Sequence, residues 1–287
     1  MVSSRLFDAH ALIRSADPAR YPFQPLGAPL EPHERESGIS HEQLLAALDA
    51  GGVERALVVQ RSRLYGYDNR YVCDAAAASP RRLQSVCQVD ARDPQCARQT
   101  RDWIGRCGAA GIRFMEPVRG DNLDWLDSPG ARQTWYAACD LGVPVSVHFF
   151  GWNRRAGLEA LSRLLAQVPP RAVVLDALAG SAVEAGPPDY GIDAPLSSVL
   201  ARSGTYLKLT GMTLQRLAKA GLPAAGLLAR LAAMVGAARL LWGTDVVAPG
   251  QSYESSVSRI LDASSALAPA EREQFLYGTA AALYPLR

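Results

Sequence analysis

Short runs of β-branched and aliphatic residues recur along the chain, and longer amphipathic stretches separate them. This alternation predicts β-α units arranged around a parallel sheet. The runs predicted as strands cover residues 6–12, 55–60, 85–89, 111–115, 144–149, 172–178, 206–210 and 240–245. Eight strands of this kind are the number that closes a (β/α)₈ barrel of the TIM type, so we expect an α/β fold of that architecture.

With 287 residues and 48% hydrophobic side chains, the chain can bury a large core. This length suits one barrel or two smaller domains. The sequence contains no internal repeat and no segment with the composition of an interdomain linker. We therefore expect a single barrel domain over residues 1–287.

Local signals predict several helix ends and two irregular segments. Ser40 and Gln43 form a capping box, and Ser128-Pro129 places proline near the first turn of a helix. Residues 15–40 contain five prolines, so this segment is predicted to be a loop over the end of the first strand rather than a helix. A second irregular loop is predicted over residues 180–195.

The composition and charge argue against nucleic acids and membranes as binding partners. A formal net charge of +2, without a basic run interleaved with aromatic residues, argues against nucleic-acid binding. The first residues lack the layout of a signal peptide, and no run reaches about 18 apolar residues, so we expect a soluble, cytoplasmic protein without a membrane partner. The five cysteines are scattered and include no Cys-x-x-Cys pair, which indicates reduced thiols.

Polar side chains occur near the carboxyl ends of most predicted strands, where barrel enzymes place their chemistry. They are Asp8, His10, Gln60, Arg113, His148, Asp176, Lys208 and Asp245. Ionisable groups inside apolar strands are costly unless they are paired or used, so the set indicates an active site. Asp8 suits a local structural pairing, His148 is equally consistent with a core histidine, and Lys208 could neutralise Asp176 across adjacent strands.

Arginines around the predicted mouth favour a small anionic substrate. Arg113 ends the fourth strand and Arg119 lies six residues later, while Arg61 follows the second strand. Guanidinium groups bind carboxylates through paired hydrogen bonds. His33 and His41 lie in or after the proline-rich loop, where solvated histidine is the default, and we assign them no role.

Several stretches together resemble the amidohydrolase-2 branch of the amidohydrolase superfamily, and the likeness runs from Leu6 to Tyr284. They are Phe7-Asp8-Ala9-His10, Gly52 to Gln60, Tyr65 to Tyr71, Gly111-Ile112-Arg113-Phe114, Val173 to Asp176, Leu207-Lys208-Leu209-Thr210 and Trp242-Gly243-Thr244-Asp245. Within that branch the chain looks most like the metal-independent 2-pyrone-4,6-dicarboxylate lactonase group. That resemblance implies that Arg113 and Arg119 bind substrate acid groups and that Asp245 is the general base.

The chain departs from the family pattern at two histidine positions. The second histidine of the first-strand His-x-His motif is Leu12, and the histidine after the sixth-strand aspartate is Ala177. Metal-using relatives employ both first-strand histidines, a fifth-strand histidine and the eighth-strand aspartate. Here His10, His148 and Asp245 could supply three ligands, whereas Leu12 would leave an aliphatic wall beside the cation.

The favoured hypothesis is a hydrolase without metal or other cofactor that opens a lactone or activated ester of a small carboxylated metabolite. Asp245 would activate water, His10 and His148 would donate to the oxyanion, and Arg113, Arg119, Arg61 and Lys208 would hold the substrate. The alternatives are a proton-transfer enzyme such as a cyclase, isomerase or dehydratase, a metal-dependent decarboxylase or amide hydrolase, and a non-catalytic binder of an anionic ligand. A homo-oligomer is compatible with the sequence.

Overall fold

The computed structural model describes residues 5–116, 118–120, 122–168, 172–246 and 252–286. Their strands form one sheet in sequential order, with every neighbouring pair parallel. The strands are β1 (Phe7–Ala11), β2 (Arg55–Val59), β3 (Leu83–Gln88), β4 (Gly111–Met115), β5 (Val145–His148), β6 (Val173–Leu175), β7 (Thr205–Thr210) and β8 (Leu240–Gly243). All eight predicted strands are confirmed, and the fold is a (β/α)₈ barrel.

Helices surround the sheet. They are α1 (Pro32–Glu36), α2 (His41–Ala50), α3 (Ser62–Tyr65), α4 (Arg70–Ala78), α5 (Cys96–Gly105), α6 (Pro129–Asp140), α7 (Arg154–Gln167), α8 (Ala194–Leu200), α9 (Gly211–Lys219), α10 (Ala224–Val235), α11 (Tyr253–Ala263), α12 (Pro269–Glu273) and α13 (Thr279–Leu283). The predicted caps of α2 and α6 are confirmed, because Ser40 and Ser128 accept hydrogen bonds from the first turns that follow them. Across the described ranges, no helix has both the length and the apolar character needed to cross a bilayer.

The core has two layers because strand side chains alternate between the helices and the barrel interior. The larger layer lies between sheet and helices and includes Trp135 and Trp242. The smaller one fills the interior, where Phe7 and Val174 pack with Tyr284 near the end of the chain. Packing at the amino-terminal end of the strands leaves the interior positions at the carboxyl end for polar side chains.

The seam between β1 and β8 is held by the buried carboxylate of Asp8. Its Oδ1 accepts from the backbone N–H of His10 at 2.9 Å and of Thr244 at 3.1 Å. Its Oδ2 accepts from the Thr244 hydroxyl and from the Tyr253 hydroxyl. The N–H of Asp245 donates to the carbonyl of His10 at 2.9 Å. Asp8 therefore has the structural role considered for it, and this role places the ends of β1 and β8 side by side.

A register shift between Asp8 and Ala11 disturbs the regular alternation of β1. Ala9 packs in the interior cluster, and the next side chain, His10, also lines the interior cavity. Bulges of this kind redirect a side chain next to a functional site. The irregularity explains why His10 faces inward.

Strand β6 is shorter than predicted. It ends at Leu175, and the chain then enters a tight turn, Asp176–Gly180, in which Ala177, Leu178 and Ala179 all have φ between 46° and 54°. Left-handed backbone costs roughly 1–2 kcal/mol for each residue with a Cβ. The hydrophobic pattern does not show where the backbone becomes left-handed. The predicted strand therefore extended three residues too far.

The segment over residues 15–40 is irregular as predicted, except for the short helix α1. Pro32 occupies its first turn, where a missing N–H costs nothing. The Glu34 side chain accepts from the backbone N–H of Glu31 at 2.9 Å. Proline therefore begins a helix here rather than preventing one.

A substitution at Gly243 tests whether β8 must lie close to β1. A Cβ at this position would lie 2.2 Å from the Cβ of His10, so we expect Gly243→Ala to lower the free energy of unfolding by about 3 kcal/mol. Gly105→Ala, where a Cβ meets nothing within 4 Å, is the matched control and should leave stability unchanged or raise it by about 0.5 kcal/mol. Urea unfolding measures both. Equal stabilities of the two variants would contradict the close seam.

Candidate active site

A cavity of about 440 Å³ opens at the carboxyl ends of the strands. Its floor is formed by His10, Arg113, His148, Asp176 and Asp245, which are contributed by five different segments of the chain. The structure thus brings together most of the polar residues predicted from the strand ends. Apolar walls and the short helix α1 complete the cavity.

Asp176 lies at the centre of a buried ion cluster. Its Oδ1 is 2.8 Å from Lys208 Nζ, and its Oδ2 accepts from Arg113 Nε at 2.8 Å. Burial alone would raise the pKa of Asp176, but the two cations hold it below its usual value. Two cations on one carboxylate leave the cluster with one net positive charge beneath the cavity floor. Lys208 is thus a partner of Asp176, the structural pairing considered from the sequence. It is not among the residues that line the cavity, where it was expected to hold the substrate.

His10 lies between the ion cluster and Asp245. Its Nδ1 is 3.4 Å from Lys208 Nζ, and its Nε2 is 3.8 Å from Asp245 Oδ1. Burial and the Lys208 charge lower the pKa of His10 well below its usual value, so the ring is neutral. An ammonium group can only donate, so Nδ1 accepts and the single ring proton is assigned to Nε2, which faces Asp245.

Asp245 follows the end of β8 in a left-handed conformation with φ of 49°. Burial raises its pKa to about 7, with the Asp176 charge adding to the rise and Arg113 opposing it. A carboxylate with a pKa near neutrality is suited to accept and release a proton at working pH. The 3.8 Å gap to His10 leaves both groups available to a reacting molecule.

Further polar side chains lining the cavity have buried atoms without a hydrogen-bond partner in the described part of the chain. Among these atoms are His148 Nδ1, Gln60 Oε1 and Ser62 Oγ. Burial, followed by the Arg113 charge, lowers the pKa of His148 to about 3, so this ring is also neutral. Buried polar atoms usually have a partner, so these unpaired atoms mark candidate contact points for water or a ligand.

Helix α1 covers one side of the cavity and is held there by two arginines. Arg63 forms two hydrogen bonds of 2.6 Å with Glu34, and Arg61 donates to the carbonyl and hydroxyl of Ser37. This arrangement places His33 at the rim of the cavity. Sequence reasoning gave His33 no role, because only the start of a helix at Pro32 would have revealed its position.

Two residues singled out from the sequence lie elsewhere. Arg119 is exposed on the segment after β4 and is not part of the cavity lining. His41 begins α2 and contacts Tyr71 outside the cavity. Of the arginines expected to bind substrate, the structure therefore brings Arg61 and Arg113 together and leaves Arg119 apart.

A divalent cation at this mouth could use His10, His148 and Asp245, and it would need an open fourth position. The Lys208 ammonium lies 3.4 Å from one of these donors, so the cation would face a buried like charge. Leu12 lines the cavity with an aliphatic side chain and supplies no further ligand. Within the ranges that the structure describes, no three or more His, Cys, Asp or Glu side chains form a group able to hold a metal. The residues present do not fit a divalent metal ion.

Lysine occurs only at positions 208 and 219, which gives a matched pair of variants. Lys208→Met would leave Asp176 with one cation, and we expect the free energy of unfolding to fall by about 2 kcal/mol or more. Lys219→Met, on the exposed end of α9, should change it by less than about 0.5 kcal/mol. Urea unfolding at neutral pH tests this. Wild-type stability of Lys208→Met would show that Asp176 does not need its second cation.

Solved structures share this fold over nearly the whole chain. A probable 2-pyrone-4,6-dicarboxylic acid hydrolase from Acinetobacter baumannii, with citric acid bound, is 16% identical with a TM-score of 0.72, covering 98% of this chain and 99% of that one. An amidohydrolase from Burkholderia multivorans with bound HEPES is 20% identical with a TM-score of 0.72, covering 99% and 100%. A manganese-complexed 5-carboxyvanillate decarboxylase from Novosphingobium aromaticivorans is 14% identical with a TM-score of 0.67, covering 99% and 97%.

At these identities the structural likeness shows the fold alone. No curated protein matches the chain significantly. The Amidohydro_2 family, described as amidohydrolase, matches residues 7–286. Because this match spans almost the entire sequence, the chain belongs to the amidohydrolase family.

Proposed function

We propose that the protein is a metal-independent hydrolase that opens a lactone or similarly activated ester of a small carboxylated metabolite. The observation that carries the proposal is the pairing of Asp245 with the neutral ring of His10 at one cavity mouth. One group can accept a proton near neutral pH, and the other presents an N–H. Family membership and the fold shared with a probable pyrone dicarboxylic acid hydrolase support the same reaction class.

In the proposed reaction, ionised Asp245 takes a proton from a water molecule as its oxygen attacks the ester carbonyl carbon. The carbonyl oxygen becomes an oxyanion, accepts a hydrogen bond from His10 Nε2 and lies above the net positive charge of the Asp176 cluster. The intermediate then breaks its ring C–O bond. The leaving oxygen receives the proton held by Asp245, so that one water is consumed and a hydroxy acid or its tautomer is released.

His148 lines the same floor with an unpartnered Nδ1. A neutral imidazole can donate from one nitrogen, and it would add a second hydrogen bond to the oxyanion or to the substrate ring. Positively charged histidines are not needed for this step, since Arg113 and Lys208 already supply charge. The protein would thus use fixed cations and neutral donors where related enzymes use a metal ion.

A second candidate is a proton-transfer reaction such as isomerisation, cyclisation or dehydration. It is favoured by the apolar residues Leu12 and Ala177 in the cavity lining, which leave room for a bulkier, less polar substrate. Asp245 and His10 could move protons in such a molecule without activating water. Product mass separates the two, because hydrolysis adds one water and isomerisation leaves the mass unchanged.

Asp245→Asn tests the general base. We expect a loss of about 10²–10³-fold in kcat on a hydrolysed lactone carboxylate, because asparagine cannot accept the proton. Asp262→Asn, on the exposed side of α11, should keep wild-type turnover. Incubation with a chelator should leave the activity of the wild type unchanged. Full turnover by Asp245→Asn would exclude the proposed base. If the chelator abolished activity and added metal restored it, the metal-independent mechanism would be excluded.

The pH dependence should report the same carboxyl. Because Asp245 acts when deprotonated, kcat/KM should rise with pH through about 7, the value to which burial raises its pKa. The charged groups around it are Arg113, Lys208 and Asp176, with Arg61 farther away. Lys208 lowers this pKa, so Lys208→Met should move the midpoint to higher pH. A midpoint near 4, or one unmoved in Lys208→Met, would contradict the assignment.

A further inference from the structure

We propose that Arg61 binds the carboxylate of the substrate, and that the substrate carries one carboxylate rather than two. This inference rests on the proposed function, because it names the class of lactone or ester that the cavity accepts. It also changes the expectation from the resemblance, which assigned acid recognition to Arg113 and Arg119.

Arg61 is a buried cation without an acidic partner. Two of its nitrogens donate to the carbonyl and hydroxyl of Ser37, each at 2.8 Å. Within the described residues, no carboxylate oxygen lies within 4.0 Å of its guanidinium, whereas Arg63, Arg113 and Arg154 each have one. The buried Arg55 also has only neutral partners, Gln84 and the Tyr284 carbonyl, but it does not line the cavity. Burial lowers the pKa of Arg61, as expected for a charge withdrawn from water. An unpaired buried guanidinium is stable only at a cost, which an anionic ligand would relieve.

The surroundings of Arg61 hold the guanidinium in place for such a ligand. A Cβ at Gly38 would lie 2.7 Å from Arg61 Nη1. Glycine at this position therefore lets the backbone that follows α1 pass close to the Arg61 guanidinium. The next residue in the chain, Ser62, is buried and lines the same cavity with a hydroxyl that has no partner. A carboxylate in this pocket would accept from the Arg61 guanidinium and the Ser62 hydroxyl together.

The balance of buried charge favours a single carboxylate. In and beneath the cavity, Arg61, Arg113 and Lys208 are positive, while Asp176 and ionised Asp245 are negative. Arg63 and Glu34 also line the cavity, and their charges cancel in a mutual ion pair. One substrate carboxylate would neutralise the remaining charge. A second would leave the cavity negative and would raise the pKa of the base further, away from the ionised form that the reaction needs.

Neither Arg113 nor Arg119 provides a second binding site for a substrate carboxylate. Arg113 is already paired with Asp176 at 2.8 Å, and Arg119 is exposed beyond the cavity lining. Leu12, Met115 and Met212 present apolar surface to the cavity. A substrate with one acid group under α1 and an apolar body matches this distribution.

Three 2-pyrones that differ in the number of acid groups test the proposal: 2-pyrone-5-carboxylate, its methyl ester and 2-pyrone-4,6-dicarboxylate. Each is titrated by calorimetry and assayed for ring opening with the wild-type protein, Arg61→Met, Ser62→Ala and the control Arg98→Met, whose arginine is exposed on α5. Arg61→Met should weaken binding of the monocarboxylate by roughly 100-fold and leave the methyl ester unaffected. Ser62→Ala, which keeps Arg61 and its contacts with Ser37, should weaken the monocarboxylate by roughly 10-fold.

The two readouts separate this inference from the proposed function. Monocarboxylate binding that depends on Arg61, without ring opening, would support the carboxylate site and exclude the lactonase. Ring opening that Arg61→Met leaves unchanged would support the lactonase and overturn the carboxylate site. Three further results would overturn the inference. The dicarboxylate could bind more tightly than the monocarboxylate, or Arg61→Met could weaken binding of the methyl ester as much as binding of the monocarboxylate. The third is that the wild type does not bind the monocarboxylate at millimolar concentration.

Discussion

The carboxylate of Asp8 is the constraint on which the candidate site depends. It accepts hydrogen bonds from the backbone of β1, from the segment after β8 and from Tyr253 of α11. These bonds fix the first and last strands against each other at the carboxyl end of the barrel. His10 and Asp245 are separated by almost the whole sequence, and this buried anchor, together with the backbone hydrogen bond from Asp245 to His10, keeps them close. Asp8 therefore positions two other groups of the candidate site.

Charge compensation is the second principle of the site. Asp176 pairs with two cations, and the histidines on either side remain neutral because they are buried beside positive charge. Positive charge of this kind can stabilise an oxyanion. Arg61 and Arg55 are both buried and both have neutral hydrogen-bond partners, but of the two only Arg61 lines the cavity.

Much of the fold could be read from the sequence, because an apolar run of strand length is a local signal that packing reinforces. The positions of all eight strands and the caps at Ser40 and Ser128 follow from such signals. The sequence also indicated that His10, Arg113, His148, Asp176 and Asp245 share a mouth. It could not show that Arg61 lacks an acidic partner while Arg63 has one, since the two look alike until their neighbours in space are known. The helix at Pro32 and the bulge that turns His10 inward depend in the same way on contacts between distant segments.

The left-handed turn after β6 limits how this site could have diverged. Three successive residues with side chains, Ala177 to Ala179, adopt a backbone that glycine and asparagine tolerate best. Large branched residues at these positions would add to an existing strain, so drift in this part of the lining is restricted to small or locally hydrogen-bonding types. New substrate preferences would then arise more readily beside α1, which is held by hydrogen bonds from Arg61 and Arg63 that lie outside the strand pairing of the barrel.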